Sequence, residues 1–199
     1  MDGVFMRRRM IMFAALLLSA AAISAAVLQR EQQALSEKLI RLHVVANSDS
    51  EWDQQVKLLV RDAVLAVTEG LDKDGLQRAL PAVQQAAEVC LAELGEEKPV
   101  RVTLGYERFP TRLYENFALP AGTYRTIRVT IGVGEGHNWW CVAFPSICMR
   151  ATVAELEDAA VSAGFTDGEI RLITAESGPY VWKFKTLELL ERLKEKLSR

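Results

Sequence analysis

Nineteen consecutive uncharged residues, Met10 to Leu28, follow directly on Arg7-Arg8-Arg9. No polar face interrupts this run, so it is unlike a helix of a soluble core. It has the basic start and Leu/Ala-rich middle of an export signal. It is also about as long as a membrane-spanning helix must be. Small residues at Ser24 and Ala26 offer a cleavage site after Ala26, so residues 1–28 are a signal peptide or a retained anchor, and both readings stay open. In either case the arginines hold the N-terminus in the cytoplasm and the remainder is exported. Residues 29–38 are polar and helix-tolerant, and read as a continuation of that helix or a short stalk.

What has to fold is therefore residues 39–199, enough for one domain with its own core. The formal net charge of -2 and the lack of a Lys/Arg block exclude a nucleic-acid binder. Export also changes how the three cysteines read. Cys141 and Cys148 flank Pro145, and outside the cytoplasm a disulfide is their natural state. Such a short loop contributes about 2–3 kcal/mol by chain entropy. Cys90 is left as a buried free thiol on a helix face, and an isolated C-x6-C pair is no zinc site.

Leu39 to Ala46 is β-rich and apolar on both faces at its end, which predicts a central strand. Asn47-Ser48-Asp49-Ser50 then starts a helix, with Ser48 and Glu51 spaced as a capping box. Val56, Leu59, Val60, Ala63, Val64 and Val67 make its apolar face, and Gly70 ends it. A second helical stretch runs from Asp72 to Leu94, broken near Leu80 with Pro81 in the first turn of the longer half. Extended segments are predicted at Val100–Tyr106, Phe109–Leu119, Thr123–Gly132 and Asn138–Phe144, pairing antiparallel in order. Thr152 and Glu155 cap a short helix closed by Gly164. Glu169–Thr174 alternates as a strand, Tyr180–Phe184 is apolar, and Lys185–Leu197 is an amphipathic helix. The fold class expected is α+β: two helices packed on one face of an antiparallel sheet, with a C-terminal extension over 151–199.

The densest chemistry lies in Gly132 to Pro145. Gly132, Gly134 and Gly136 lack the Lys-Ser/Thr of a phosphate loop and precede a strand, so they read as a glycine hairpin. His137 and Cys141 suggest a thiol enzyme with His43 or Asp49 as helper, but on one strand they stand about 13 Å apart. His43, Asp49, Asp53 and His137 show no metal-ligand spacing, so neither a metal nor a cofactor is expected. Trp139 and Trp140 cannot share a face of a strand. One enters the core; the other points outward as a binding hot spot or lies under the C-terminal segment. The candidates for partner binding are His137, Asn138, Trp139 and Trp140, with His43, Asn47 and Asp49.

Two stretches carry a resemblance. Ile40-Arg41-Leu42-His43-Val44-Val45-Ala46-Asn47-Ser48-Asp49-Ser50, with Asp53-Gln54 and Lys57 to Val64, is similar to the opening of the stage II sporulation protein R family. Gly122-Thr123-Tyr124, Ile131-Gly132 and Gly136-His137-Asn138-Trp139-Trp140-Cys141-Val142 resemble the same family, and the likeness spans about 40–148. The resemblance implies a signal in endospore formation. It implies export from the forespore into the space between the two membranes, and activation there of a membrane-embedded aspartic protease of the mother cell. That protease processes the pro-form of sigma factor E. The family brings no catalytic residues to carry over, so the chain is expected not to be an enzyme. A secreted hydrolase, thiol- or metal-dependent, and a structural envelope protein are the competing readings.

Overall fold

The computed structural model describes residues 2–114, 117–147 and 152–174, and positions 185, 188, 189 and 196 beyond them. The apolar run and the polar stretch after it form one helix, α1, Asp2–Lys38. Residues 29–38 thus continue the helix. Its apolar part stands clear of the domain as far as Val27, with Leu28 already packed against the core, and is long and apolar enough to cross a membrane. Its last turns do not: Leu35 and Ser36 are buried, and Leu39 follows them into the core.

The next element, β1 (Ile40–Val45), is buried at all six positions, as a central strand should be. Three helices follow: α2 (Glu51–Thr68), α3 (Lys73–Arg78) and α4 (Leu80–Glu93). The break falls at Ala79–Leu80, with Pro81 in the first turn of α4, where its missing N–H leaves no bond unmade. Then come β2 (Val100–Phe109), β3 (Arg112–Leu113), β4 (Ala118–Leu119), β5 (Gly122–Ile131) and β6 (Asn138–Phe144). The described part closes with α5 (Val153–Ser162) and α6 (Asp167–Thr174).

The sheet order is β2-β5-β1-β6, with β3 and β4 forming a separate two-stranded ribbon. The sheet is mixed, not purely antiparallel: β1 runs parallel to β5 and antiparallel to β6. The helices after β1 carry the chain across one face to the edge strand β2, and β5, antiparallel to β2, then runs beside β1 in the same direction. β6 then has no place beside β5 and pairs on the other side of β1. The glycine segment is therefore not a hairpin. It is an arch passing the end of β1, although Gly132 and Gly134 do take positive φ (58° and 69°).

One face of the sheet packs Leu42, Val44, Ile127 and Val129 against Val56, Val60 and Val64 of α2 and Val83, Ala87 and Leu91 of α4. The other face buries Phe109, Tyr124 and Val142 under Leu35 and Leu39, the β3–β4 ribbon, α5 and α6. Two local readings need correction. The N-cap of α2 is Ser50, whose Oγ accepts from Asp53 N at 3.1 Å; Ser48 donates its hydroxyl to the Asp53 carboxylate instead. Glu169–Thr174 is helix α6, not a strand. Thr166 and Glu169 cap each other reciprocally, and Ile170 and Ile173 then share a buried stripe three apart. The Thr152–Glu155 capping box on α5 is present as read. The expected segment Tyr180–Phe184 and nearly all of Lys185–Leu197 lie outside the described residues.

Candidate functional site

The two resembling stretches meet at the end of the β1–β6 pair. Register places His43 beside Trp140, Val44 beside Trp139 and Val45 beside Asn138. Beyond the strands, the loop after β1 and the arch before β6 are bonded along their backbones. Gly136 N donates to Ala46 O at 3.0 Å and Glu135 N to Asn47 O at 3.1 Å. Side chains complete the seam. Asn47 Oδ1 accepts from Val133 N at 3.2 Å, and Asp49 Oδ1 accepts from His137 N at 2.6 Å and also from the His137 ring. Lys57, buried on α2, reaches over to donate to His137 O at 3.1 Å. The close approach depends on glycine: a Cβ on Gly136 would overlap the Ser48 carbonyl, and one on Gly132 would overlap the Asn47 amide.

Asp53 anchors the seam from below. It is 5% exposed and accepts from Asn47 Nδ2 at 2.8 Å and Ser48 Oγ at 2.5 Å, with Lys98 Nζ 3.2 Å away. Hydrogen bonds from Ser48 and Asn47 hold its carboxyl down at about 2, aided by Lys98 against the effect of burial. Asp49 is exposed. Partial desolvation pushes its carboxyl up, but the bonds from the His137 backbone and ring outweigh it, and the net shift is downward. Burial lowers the Lys57 ammonium, opposed by Asp49.

The candidates are thus brought together, but in different roles. Asn47 and Asp49 tie two loops, through both polar atoms of the Asn47 amide and through Asp49 Oδ1. His137 and Asn138 are exposed. The tryptophans part to opposite faces, and both are half-buried. Trp139 lies on the helix side with the Arg61 guanidinium 5.0 Å from its ring centre; Trp140 lies on the other side with Arg112 at 3.7 Å. His43 is buried beneath this surface. Its Nδ1 is 2.7 Å from Glu107 Oε2, its Nε2 is 2.7 Å from Asn138 Oδ1, and its ring packs on Trp140. Four strands meet there, since Glu107 on β2 also pairs with Arg128 on β5 at 3.5 Å.

Cys141 is buried on the helix face while His137 is exposed with its ring bonded to Asp49, and strand alternation turns the suggested helper His43 to the opposite face, against Phe109 and Trp140. Its expected disulfide partner, Cys148, lies outside the described residues. Cys90 is a free thiol, half-buried on α4, and burial raises its pKa. Among the described residues no three His, Cys, Asp or Glu side chains gather as metal ligands. Sequence reading did not single out Arg41, Lys57, Glu107 or Lys98. For Arg41 a signal existed: a charge inside a strand apolar on both sides must either break the strand or be buried with it.

Comparison with known proteins bears on these residues together. The family model described as stage II sporulation protein R matches residues 36–154, which contain both loops and all of the sheet. A curated relative, stage II sporulation protein R of Bacillus subtilis (strain 168), is 33% identical over 163 residues. That match covers 75% of this chain and 73% of the relative. No solved structure matches.

Proposed function

We propose, for a chain that belongs to the stage II sporulation protein R family, a role as exported signal rather than catalyst. In this reading the domain lies between the forespore and mother-cell membranes. It binds a membrane-embedded aspartic protease of the mother cell and switches on processing of pro-sigma factor E. Family membership supplies the sporulation role. The observation that carries the binding part is the seam. Two stretches 86–90 positions apart are tied by backbone and side-chain hydrogen bonds into one edge, which presents His137 and Asn138 to solvent. Rigid loops on a packed sheet suit recognition, because little freedom is lost on docking. The apolar α1 fits either an export signal or an anchor. A Cys141–Cys148 bridge, formed outside the cytoplasm, would fasten the end of β6 to the chain beyond Pro145.

The test is reconstitution in a non-sporulating host carrying the protease and its pro-sigma substrate. Processing is expected only when this chain is present, and is expected to fail with His137→Ala plus Asn138→Ala in a protein that still folds. Processing without the chain removes the activator role; processing by the folded double variant removes the contact surface.

A further inference from the structure

Among the described residues Arg41 has the largest fully buried side chain, and none of their carboxylates pairs with it. Its Nε donates to Cys141 O at 2.8 Å and its Nη2 to the Tyr114 hydroxyl at 2.7 Å, while Nη1 is buried without an acceptor. Two more buried donors nearby are in the same state, Arg112 Nε and Trp140 Nε1. All three belong to one cluster. The Tyr114 hydroxyl that receives Arg41 donates in turn to Trp140 O at 3.2 Å, and the Arg112 guanidinium lies on the Trp140 ring. Two cations and an indole N–H therefore lie close together at the β3–β4 ribbon, with no anion bonded to these unmet donors among the described residues.

The aromatic faces do not settle this balance. Phe109 and Tyr124 lie 4.2 and 5.2 Å from the Arg41 guanidinium and return part of what desolvation takes. An unpaired ion in a dry interior costs more than such contacts supply, and a second guanidinium beside it adds repulsion. Burial pulls the Arg41 guanidinium below its ordinary range, and Arg112 pulls the same way. The unmet donors are all of one kind, so the missing group is an acceptor, and the charge makes it an anion. A carboxylate suits best: it is planar, accepts from two sides and matches the fork of a guanidinium. Arg112 is only half-buried, so its side chain is the way in.

We propose that Arg41, Arg112 and Trp140 form a binding site for one carboxylate, borne either by a small free acid or by an acidic side chain of a bound protein. This does not depend on the activator reading, and its failure would leave that reading standing. The experiment uses the full chain in detergent micelles. Its unfolding midpoint is followed against sodium acetate, with sodium chloride and sodium phosphate at matched ionic strength. Acetate is expected to raise the midpoint saturably and chloride not. Arg112→Gln and Trp140→Phe, which keep bulk and fold, are each expected to raise the half-saturating acetate concentration about tenfold. Mass spectrometry of the protein as purified then separates the sources. An organic acid released on denaturation assigns a free ligand; an empty site that acetate fills assigns a protein side chain. Equal responses to acetate and chloride, saturation by phosphate alone, or unchanged half-saturation in Arg112→Gln would overturn the site and leave the unmet donors to water.

Discussion

The Asp49 carboxylate takes hydrogen bonds from both the backbone N–H and the ring of His137, 88 positions further along the chain. Both residues are exposed, so the pair positions a loop in water and adds little to the core. Asp49→Ala should leave the thermal midpoint nearly unchanged. It should speed amide exchange at residues 133–137, and in the reconstituted system it should lower processing. Unchanged exchange in that segment would show that the backbone bonds alone hold the arch.

Asp53 sets an acid limit. Its carboxyl is held near 2 against an ordinary 3.8, so its contribution to stability is complete above about pH 4. As pH falls from there through about 2, the folded state loses that advantage, because the unfolded chain takes up the proton first. Asp53→Asn should flatten this part of a pH–stability curve measured by urea unfolding. A wild-type curve already flat between pH 4 and 2 would place the anchor elsewhere.

Gly136→Ala inserts a methyl into the Ser48 carbonyl, which is backbone and cannot turn aside. Overpacking of this kind costs about 1–3 kcal/mol, measurable as a lower midpoint in urea. Gly105→Ala on β2 meets nothing within 4 Å and should be neutral or slightly stabilising. Equal effects at the two positions would contradict the tight seam.

Much of this was readable in the sequence, and the parts that were not share a cause. Pro81 marked the start of α4, and β6 runs from Asn138 to Phe144 as its residues suggest, because both depend on neighbours along the chain. Strand order depends on distant partners. Nothing in residues 123–144 tells that β1 lies between β5 and β6. The stretch Glu169-Ile170-Arg171-Leu172 alternates as a strand would, and only the Thr166 cap three residues before Glu169 tips it to helix. At the site, the residue types in the two loops were visible. What was not is that Asn47 and Asp49 face inward to the other loop, and that each tryptophan lies by an arginine from elsewhere in the fold, Arg61 or Arg112.

Trp139→Ala and Trp140→Ala each remove a half-buried ring, so each should destabilise by about 2 kcal/mol whatever it does to signalling. The informative change on the helix side is Trp139→Phe, which keeps an aromatic face for Arg61. If Trp139 is a contact, the phenylalanine variant should fold normally and process poorly. Normal processing would leave Trp139 a packing residue.

Helix α1 enters the domain without a joint: Leu35 and Ser36 are buried, and Lys38 is tied to Glu169 at 2.6 Å. Leu28, at the end of the apolar run, already packs against the core, so no free length of helix separates the apolar run from the domain. While that helix is kept, the domain is a post of fixed height and not a weight on a string. Its rim can turn about the helix axis but cannot wander from the bilayer. On the activator reading proposed above, a receptor in a facing membrane would have to reach into that narrow layer to meet it.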